Sequence, residues 1–387
     1  MRDLVVLRRL VEGIYRRLDA RRDAVVAAIR NRLSGGSLKV YAANVDTLLW
    51  QVSYGVVLKL ILYGMLERQL GLPSLGDTDD LLGLLREAYE RTGIQALRDS
   101  WIDCGFEVLG SRELEGLVGE AVQFIEVRAR GDGLGRIYEE IVPQEERRRL
   151  GEFYTPRPIA EFMVGWAVGS VGDYVLDPGV GSGTFLVEAL YRLGALGCPP
   201  SRSVDQLYGL DVNPLAVLMA TINILRRVPG SRPRVCMADF FDLDPSGTGG
   251  VGIGRAVFDV VVCNPPYTRH HELDSAYKER LARLVEFESG LRVSRLSSLY
   301  LHFFIHAFSF LRDGGRAAFI TPSEWMESGY GEALRRFLVE RARINAILLF
   351  GEESVVFPGV LTRACITLAT KGGGRGKTLL LSLIHIS

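Results

Sequence analysis

Cysteine is scarce in this 387-residue sequence, and its five cysteines lie far apart. No two of them form the CxxC pair that zinc sites and redox motifs use, and their spacing gives no disulfide framework. They are Cys104, Cys198, Cys236, Cys263 and Cys365. We therefore expect a reducing compartment, the cytoplasm, and no zinc site built on cysteine.

An excess of charge of either sign is also missing. The chain has 46 Lys and Arg against 46 Asp and Glu, so no global positive field identifies a nucleic-acid binder. Residues 1–40 nevertheless carry a local basic excess, with ten basic residues against four acids. That segment either faces a phosphate backbone or forms a solvated helix face, and the second explanation is the commoner one.

No long apolar run is free of polar residues. The best candidate for a membrane span, residues 48–66, contains Gln51 and Lys59. A mostly buried helix is therefore favoured over a bilayer span, which needs about 20 apolar residues. The basic, apolar start of the chain is interrupted by Arg8 and Arg9 before a signal-peptide core develops. We expect no membrane association.

Patterns for a resident metal or for a phosphate loop are missing as well. His302 and His306 have i, i+4 spacing, but no Glu follows His302 as the HExxH pattern requires, and aromatic residues surround both. Core or interface histidines are therefore favoured over a zinc pair. The Gly-rich stretch 247–256 lacks the GK[ST] ending of a phosphate loop. We expect no metal requirement.

The spacing of apolar residues along the sequence changes near residue 150. Up to residue 146, apolar residues recur at helical spacing and strand signals are scarce. From Tyr174 onward there are seven short β-branched runs, most of them separated by helix-length segments: YVLDP, QLYGLDV, RVCMADFF, FDVVVCNPP, RAAFITP, NAILLFG and ACITLAT. This pattern predicts a doubly wound, seven-stranded α/β sheet after an all-helical N-terminal domain. The predicted domains are 1–146 and 147–371, with 372–387 as a truncated or artefactual tail.

Four of the predicted strands end in residues that suit a nucleotide-like ligand, which such sheets bind at the carboxyl ends of their strands. The first run ends in DPGVGSG, a Gly-rich turn whose backbone N–H groups a ligand can approach closely. The second ends in Asp211, whose carboxylate can accept both hydroxyls of a ribose. The third ends in Asp239 and Phe240, an acceptor for an exocyclic amine beside an aromatic face for a purine. The fourth ends in NPPY, residues 264–267.

In this order, the motifs resemble those of the N6-adenine DNA methyltransferases that use S-adenosylmethionine. DPGVGSGTFL resembles their cofactor loop, YGLDVNPLAVLMATIN their ribose-binding strand and helix, ADFF their adenine-contacting segment and NPPY their catalytic motif. LGEFYTPRPIAEFMV resembles the segment that closes over the methionine end of the cofactor, and VVFPGVLTRACITL resembles a later motif. The resemblance runs from Gly135 to Ala369. Its motif order is that of the modification subunits of type I restriction systems and of related type II enzymes.

The resemblance implies S-adenosylmethionine as the cofactor of a methyltransferase sheet. The cofactor-binding residues it implies are Tyr154, Thr155, Pro156, Asp177, Pro178, Gly179, Gly181, Gly183, Asp211, Asn213, Asp239 and Phe240. The catalytic residues it implies are Asn264, Pro265, Pro266 and Tyr267, with Tyr267 and Phe357 stacking on the target base. It also implies double-stranded DNA as a partner, read either through a separate specificity subunit or through a C-terminal recognition domain missing from this sequence.

The implied function is site-specific N6 methylation of a flipped-out adenine in DNA, within a restriction-modification or related defence system. An adenine amine is a poor nucleophile, because its lone pair is delocalised into the ring. The carboxamide oxygen of Asn264 and the backbone carbonyl of Pro265 can accept its N–H bonds, and the two prolines fix their aim by restricting φ. Stacking is worth about 1–3 kcal/mol per base, comparable with the few kcal/mol that flipping costs.

Two alternatives stay open at this point. The NPPY motif is shared by enzymes that methylate guanine N2 in RNA or a glutamine amide in proteins, because all present an sp² nitrogen to the same acceptors. A non-catalytic, methyltransferase-like scaffold that binds DNA is the other alternative, although intact NPPY and DPGVGSG count against it. Arg269, His270 and His271, just after NPPY, either contact substrate phosphates or lie in a solvated loop.

Overall fold

The computed structural model describes residues 2–33, 44–75, 80–125, 133–143, 145, 155–245, 257–268, 273–294, 297–351, 363–372 and 379–383. The chain divides into two compact units. The first unit comprises residues 1–146 with 181–183 and 212–237, and the second comprises residues 147–180, 184–211 and 238–387. The break after residue 146 lies where the spacing of apolar residues along the sequence changes. The sequence, however, assigns 181–183 and 212–237 to the sheet domain.

The helices are α1 (Arg2–Asp19), α2 (Arg22–Leu33), α3 (Val45–Leu70), α4 (Leu81–Thr92), α5 (Cys104–Ile125), α6 (Gly133–Ile141), α7 (Arg157–Ala167), α8 (Thr184–Ala195), α9 (Pro200–Asp205), α10 (Pro214–Leu225), α11 (Ser275–Ser289), α12 (Leu299–Ser309) and α13 (Glu332–Arg341). The strands are β1 (Val175–Asp177), β2 (Leu207–Asp211), β3 (Arg234–Met237), β4 (Phe258–Cys263), β5 (Leu311–Pro322), β6 (Ala342–Phe350), β7 (Ala364–Lys371) and β8 (Leu379–Leu383). Between residues 2 and 145, the described elements are all helical, as predicted.

Helix α3 is the central helix of the first unit. Asn44 caps its start by accepting a hydrogen bond from the backbone N–H of Asp46, and Gly71 ends it in the left-handed conformation at φ 58°. Although the helix is long and apolar enough to cross a bilayer, its apolar window is 94% buried inside the protein. Lys59, in the middle of that window, lies 2.7 Å from the carboxylate of Asp103. The polar residue that counted against a bilayer span therefore belongs to a buried ion pair.

The strands form one sheet in the order β3-β2-β1-β4-β5-β7-β6-β8. Strand β1 runs parallel to β2 and β4, and β4 runs parallel to β5. Strand β7 is antiparallel to both β5 and β6, and β8 is parallel to β6. The centre of the sheet is apolar, since Val175, Leu176, Val260 and Val261 are fully buried. Parallel central strands bring the carboxyl ends of β1, β2 and β4 to one edge of the sheet.

Charged side chains fix the opposite, amino edge of the second unit. The Asp173 carboxylate accepts hydrogen bonds from the backbone N–H of Gly169 at 2.8 Å and from Nη2 of Arg316 at 2.8 Å. The Asp259 carboxylate accepts one from the backbone N–H of Tyr174 at 2.8 Å and pairs with Arg312. Because Asp173 is buried, these partners offset the cost of removing its carboxylate from water.

The predicted fold class is confirmed, with one strand more than the sequence indicated. All seven β-branched runs form strands, β1 to β7. The eighth strand, β8, falls inside the segment 372–387 that we expected to be a tail, and Leu380 pairs with Ile347 of β6. The sequence LLLSL can form this strand because it is a short apolar run that extends the sheet beside β6. The sheet therefore extends past residue 371, where the sequence had placed its end.

Candidate functional site

Asp177 ends β1 at the carboxyl edge of the sheet, in the second unit. Its side chain is fully buried, and its Oδ1 accepts a hydrogen bond from the backbone N–H of Gly179 at 3.2 Å. Its Oδ2 is buried and has no hydrogen-bond partner among the described residues. Burial, reinforced by the neighbouring carboxylate of Asp211, raises the pKa of Asp177 well above its usual range. A buried, half-satisfied carboxyl at this place is suited to a donor supplied by a ligand.

Gly179 brings the glycine turn next to the NPPY segment. A Cβ built on Gly179 would lie 3.6 Å from Sγ of Cys263 and 3.7 Å from the backbone carbonyl oxygen of Asn264. Both are ordinary contact distances, so the glycine leaves open a space of about one methyl group between the two segments. The sequence predicted both segments, and the structure brings them together within the second unit.

The other two glycines of the turn belong to the first unit. Gly183 has φ 86°, and a Cβ there would lie 2.9 Å from Cα of Ala220 in α10. Only glycine fits this position, because both the backbone conformation and the neighbouring backbone exclude a side chain. The carbonyl of Ser182 accepts a hydrogen bond from Nδ2 of Asn223 at 2.9 Å, which holds the turn against the same helix. Gly181 also has a positive φ, of 51°.

Asp211 ends β2 and is partly exposed at the carboxyl edge. Its backbone carbonyl accepts a hydrogen bond from the N–H of Ala238 at 2.9 Å. In the first unit, Asn213 caps α10 by accepting from the N–H of Leu215 at 3.0 Å, and its Nδ2 donates to the hydroxyl of Tyr138 at 3.2 Å. Tyr138 lies on α6, so a residue of the N-terminal helices supports the turn that follows the predicted ribose-binding acid.

Directly after β3, Asp239 is partly buried and the ring of Phe240 turns inward. Burial raises the pKa of Asp239, whose Oδ1 accepts from the N–H of Phe241 at 3.0 Å. The ring of Phe240 is 1% exposed and lies 4.5 Å from the ring of His306 and 5.3 Å from that of Phe310. The aromatic face that we expected for a purine is therefore part of the core. Packing against other aromatic rings explains this orientation, since an inward ring buries more apolar surface.

The NPPY segment leaves the sheet directly after β4. Asn264 is partly buried, and Pro265 is buried. The hydroxyl of Tyr267 donates to the carbonyl of Ile320 in β5 at 3.3 Å, and burial raises the pKa of this phenol well above its usual range. Its ring meets that of Tyr300 edge to face at 6.4 Å. The segment is thus held by the neighbouring strand and by α12.

Upstream of the sheet, Thr155 is buried and Pro156 is exposed at the start of α7. Nε of Arg157, the next residue, lies 2.8 Å from the buried carboxylate of Glu188 in α8, the helix after the glycine turn. Two predicted site residues, Tyr154 and Phe357, lie outside the described residues. The same is true of Arg269, His270 and His271.

The two histidines of α12 are core residues. His302 is buried, and burial lowers its pKa to about 4. Nδ1 of His306 lies 2.7 Å from the carboxylate of Glu288, and its Nε2 donates to the carbonyl of Phe240 at 3.2 Å. Within the described residues, no group of three or more His, Cys, Asp or Glu side chains could hold a metal ion.

Sequence reasoning missed the residues that support the site from a distance. Tyr138, Glu188 and Tyr277 contact Asn213, Arg157 and Asp239, and each pair is separated by more than thirty residues. Tyr138 stands inside the segment GRIYEEI that belongs to the resemblance, which is the one signal that could have marked it. Nothing in the local sequence marks Glu188 or Tyr277.

Comparison with known proteins agrees with the motifs. A family described as N-6 DNA Methylase matches residues 129–383. A type II methyltransferase of Xanthomonas campestris pv. amaranthicola, M.XamI, is 34% identical over 221 residues, which are 56% of this chain and 38% of that protein. The chain spans about two fifths of the length of the first curated relatives it matches.

Solved structures share the fold at low sequence identity. A type I restriction-modification methyltransferase subunit from Streptococcus thermophilus superposes with a TM-score of 0.55 at 18% identity, covering 96% of this chain and 87% of that one. The DrdV protein in its DNA complex superposes with a TM-score of 0.60 at 17% identity, covering 98% of this chain and 43% of that one.

Proposed function

Because the chain belongs to the N-6 DNA methylase family, we propose that it transfers a methyl group from S-adenosylmethionine to the N6 amine of a flipped-out adenine in double-stranded DNA. The observation that carries this proposal is the approach of Gly179 to the backbone of Asn264 at the carboxyl edge of the sheet. A methyl donor held by the glycine turn would there lie beside the acceptors that receive the amine. Such positioning can supply much of the rate enhancement of a reaction between two bound partners.

The residues at this edge fit S-adenosylmethionine on structural grounds. Oδ2 of Asp177 is buried and has no hydrogen-bond partner among the described residues, and Gly179 leaves open the space that a Cβ would fill. Asp211 would accept the ribose hydroxyls and Asp239 the exocyclic amine of the purine. The resemblance also assigns Tyr154, Thr155, Pro156, Pro178, Gly181, Gly183 and Asn213 to the cofactor. When bound, the cofactor supplies an electrophilic methyl group on a sulfonium.

The protein's own part in the reaction is to hold the amine. The carboxamide oxygen of Asn264 and the carbonyl oxygen of Pro265 would accept the two N–H bonds as the nitrogen becomes tetrahedral. The nitrogen would form its new N–C bond to the methyl group that the bound cofactor would supply, and the electron pair of the broken C–S bond would remain on sulfur. The amine then loses one proton to solvent. Because Pro265 and Pro266 restrict φ, the acceptors keep their direction without a contribution from the substrate.

Tyr267 and Phe357 would stack on the two faces of the extruded base. The hydrogen bond of Tyr267 to Ile320 fixes its phenol against β5, so its ring is preorganised before the substrate binds. At about 1–3 kcal/mol per stacked base, two such walls are comparable with the cost of flipping. The DNA sequence would be read by a specificity subunit or by a recognition domain. We propose the cytoplasm as the compartment, where the five cysteines, none of which forms a disulfide, stay reduced.

Methyl transfer from labelled S-adenosylmethionine to a mixture of duplex DNA, RNA and protein tests the proposal. We expect label in DNA, and N6-methyladenine after digestion of the product. Label confined to RNA or protein would replace DNA by that substrate. If the protein binds neither S-adenosylmethionine nor S-adenosylhomocysteine in calorimetry, the proposal is wrong.

A further inference from the structure

We propose that Tyr277 is a positioning residue for cofactor recognition, which holds the Asp239 carboxylate so that it accepts a hydrogen bond from the exocyclic amine of the cofactor's purine. The inference rests on the proposed function, because it takes S-adenosylmethionine as the ligand. It adds a residue outside the recognised motifs, on the helix that follows the NPPY segment.

The contact between the two side chains is direct. The hydroxyl of Tyr277 donates to Oδ2 of Asp239 at 2.8 Å. Tyr277 lies in the first turn of α11, and Asp274 fixes the start of that helix by accepting from the N–H of Ala276 at 2.9 Å. The phenol therefore reaches Asp239 from a capped helix end rather than from a loop.

A second residue of α11 holds the same segment. Arg280 stands three residues after Tyr277, so both side chains lie on one face of the helix. Nη2 of Arg280 donates to the backbone carbonyl of Phe241 at 2.9 Å and pairs with the carboxylate of Asp242. These contacts fix the chain on the far side of Asp239.

The other end of α11 acts through α12. Glu288, in the last turn of α11, lies 2.7 Å from Nδ1 of His306. The opposite ring nitrogen of His306 donates to the backbone carbonyl of Phe240 at 3.2 Å. Residues 239–242 are therefore held at four successive positions by groups from the two helices after NPPY, and the inward ring of Phe240 is part of the same arrangement.

The hydroxyl of Tyr277 constrains the direction of the Asp239 carboxylate and opposes the rise in its pKa that burial causes. Oδ1 is occupied by the N–H of Phe241, and Oδ2 accepts from Tyr277 while keeping a lone pair for a further donor. Burial raises the pKa of Asp239, whereas these two hydrogen bonds lower it. Loss of the hydroxyl would free the carboxylate to rotate and would favour its protonated form, which is a poorer acceptor for an amine.

The test compares binding of two ligands to wild-type protein and to Tyr277→Phe by calorimetry. S-adenosylhomocysteine carries an exocyclic amine, whereas S-inosylhomocysteine carries a carbonyl oxygen at the same place. We expect Tyr277→Phe to weaken the adenosyl ligand about tenfold, because a hydrogen bond to a charged group is affected. The inosyl ligand should bind within about twofold of its wild-type affinity, so that discrimination between the two falls.

Three further variants show whether the effect is specific. Tyr89→Phe removes a phenol hydroxyl that lies in α4 and accepts from Gln95, so it should leave both affinities unchanged. Asp239→Asn should lose discrimination as well. Adding Tyr277→Phe to it should cause little further loss, because the two residues act through one contact.

The possible failures are distinguishable. Equal weakening of both ligands by Tyr277→Phe, with an unchanged melting temperature, would show a merely structural role and overturn the inference. Unchanged binding of both would do the same. Wild-type protein that binds neither ligand would overturn the proposed function, and the inference with it.

Discussion

Replacement of Gly179 by Ala separates a binding defect from a folding defect. The added Cβ would meet Cys263, Asn264 and Phe303 at 3.6 to 4.0 Å, which are ordinary contacts, and Gly179 is not among the glycines of positive φ. The free energy of unfolding should therefore change by less than about 1 kcal/mol, in the stabilising direction that Gly-to-Ala replacement gives at a compatible site. The methyl group, however, would occupy the space proposed for the cofactor.

Overpacking a filled site by one methyl group costs about 1–3 kcal/mol. Affinity for S-adenosylhomocysteine should therefore fall by about 5- to 140-fold, since about 1.4 kcal/mol corresponds to a factor of ten. Gly183→Ala is the matched control, and its main effect should be a loss of stability. Its Cβ would lie 2.9 Å from the backbone of Ala220 at a φ of 86°, so the variant should lose about 2–5 kcal/mol of stability.

Denaturant unfolding, calorimetric titration and methyl transfer should be measured on both variants. If Gly179→Ala binds S-adenosylhomocysteine as tightly as the wild type and transfers methyl groups at the wild-type rate, the donor does not lie in front of Gly179. The site would then have been assigned to the wrong place. If Gly183→Ala is as stable as the wild type, the claim that only glycine fits position 183 beside α10 is wrong as well.

Three other perturbations test separate parts of the molecule. Asn264→Ala should abolish methyl transfer while leaving S-adenosylhomocysteine affinity within about twofold, whereas Asp211→Ala should weaken that affinity first; equal losses of binding in both would contradict these roles. Asp103→Ala should lower the free energy of unfolding by about 3–5 kcal/mol in denaturant titrations, because it leaves the buried ammonium of Lys59 without its partner. The double variant Lys59→Met with Asp103→Leu should recover most of the lost stability. Because burial raises the pKa of Asp177 in the folded protein, the cofactor-free protein should gain stability as pH falls through that pKa. Asp177→Asn should be more stable than the wild type at neutral pH and should lack this gain. The same pH dependence of stability in the variant and in the wild type would refute the prediction.

The sequence predicted the parts of the fold that depend on local pattern. Seven β-branched runs became β1 to β7, because each combines strand propensity with punctuation by Gly, Pro or Asp. The edge strand β8 was missed since a five-residue apolar run can become a strand only when a partner such as β6 offers an edge.

The positions of the candidate site residues could be predicted where these residues lie in a motif, and could not be predicted where they depend on packing. Asp177, Gly179 and Asn264 were chosen from their motifs, and the structure places them close together. The ring of Phe240 was misjudged, because its direction is decided by His306 and Phe310 more than sixty residues away. The contact of Tyr277 with Asp239 was missed for the same reason.

The charged contacts at the amino edge of the sheet have a consequence for how this chain can change over time. The ion pair of Asp173 and Arg316 joins the segment before β1 to β5, with β4 between the two strands, at the end opposite to the glycine turn. Substitutions there alter how firmly the strands are joined but leave the ligand-facing edge untouched. Substitutions of partly exposed side chains at the carboxyl edge, such as that of Asp211, bear on the ligand instead. Selection can therefore adjust stability and ligand binding in part through different residues.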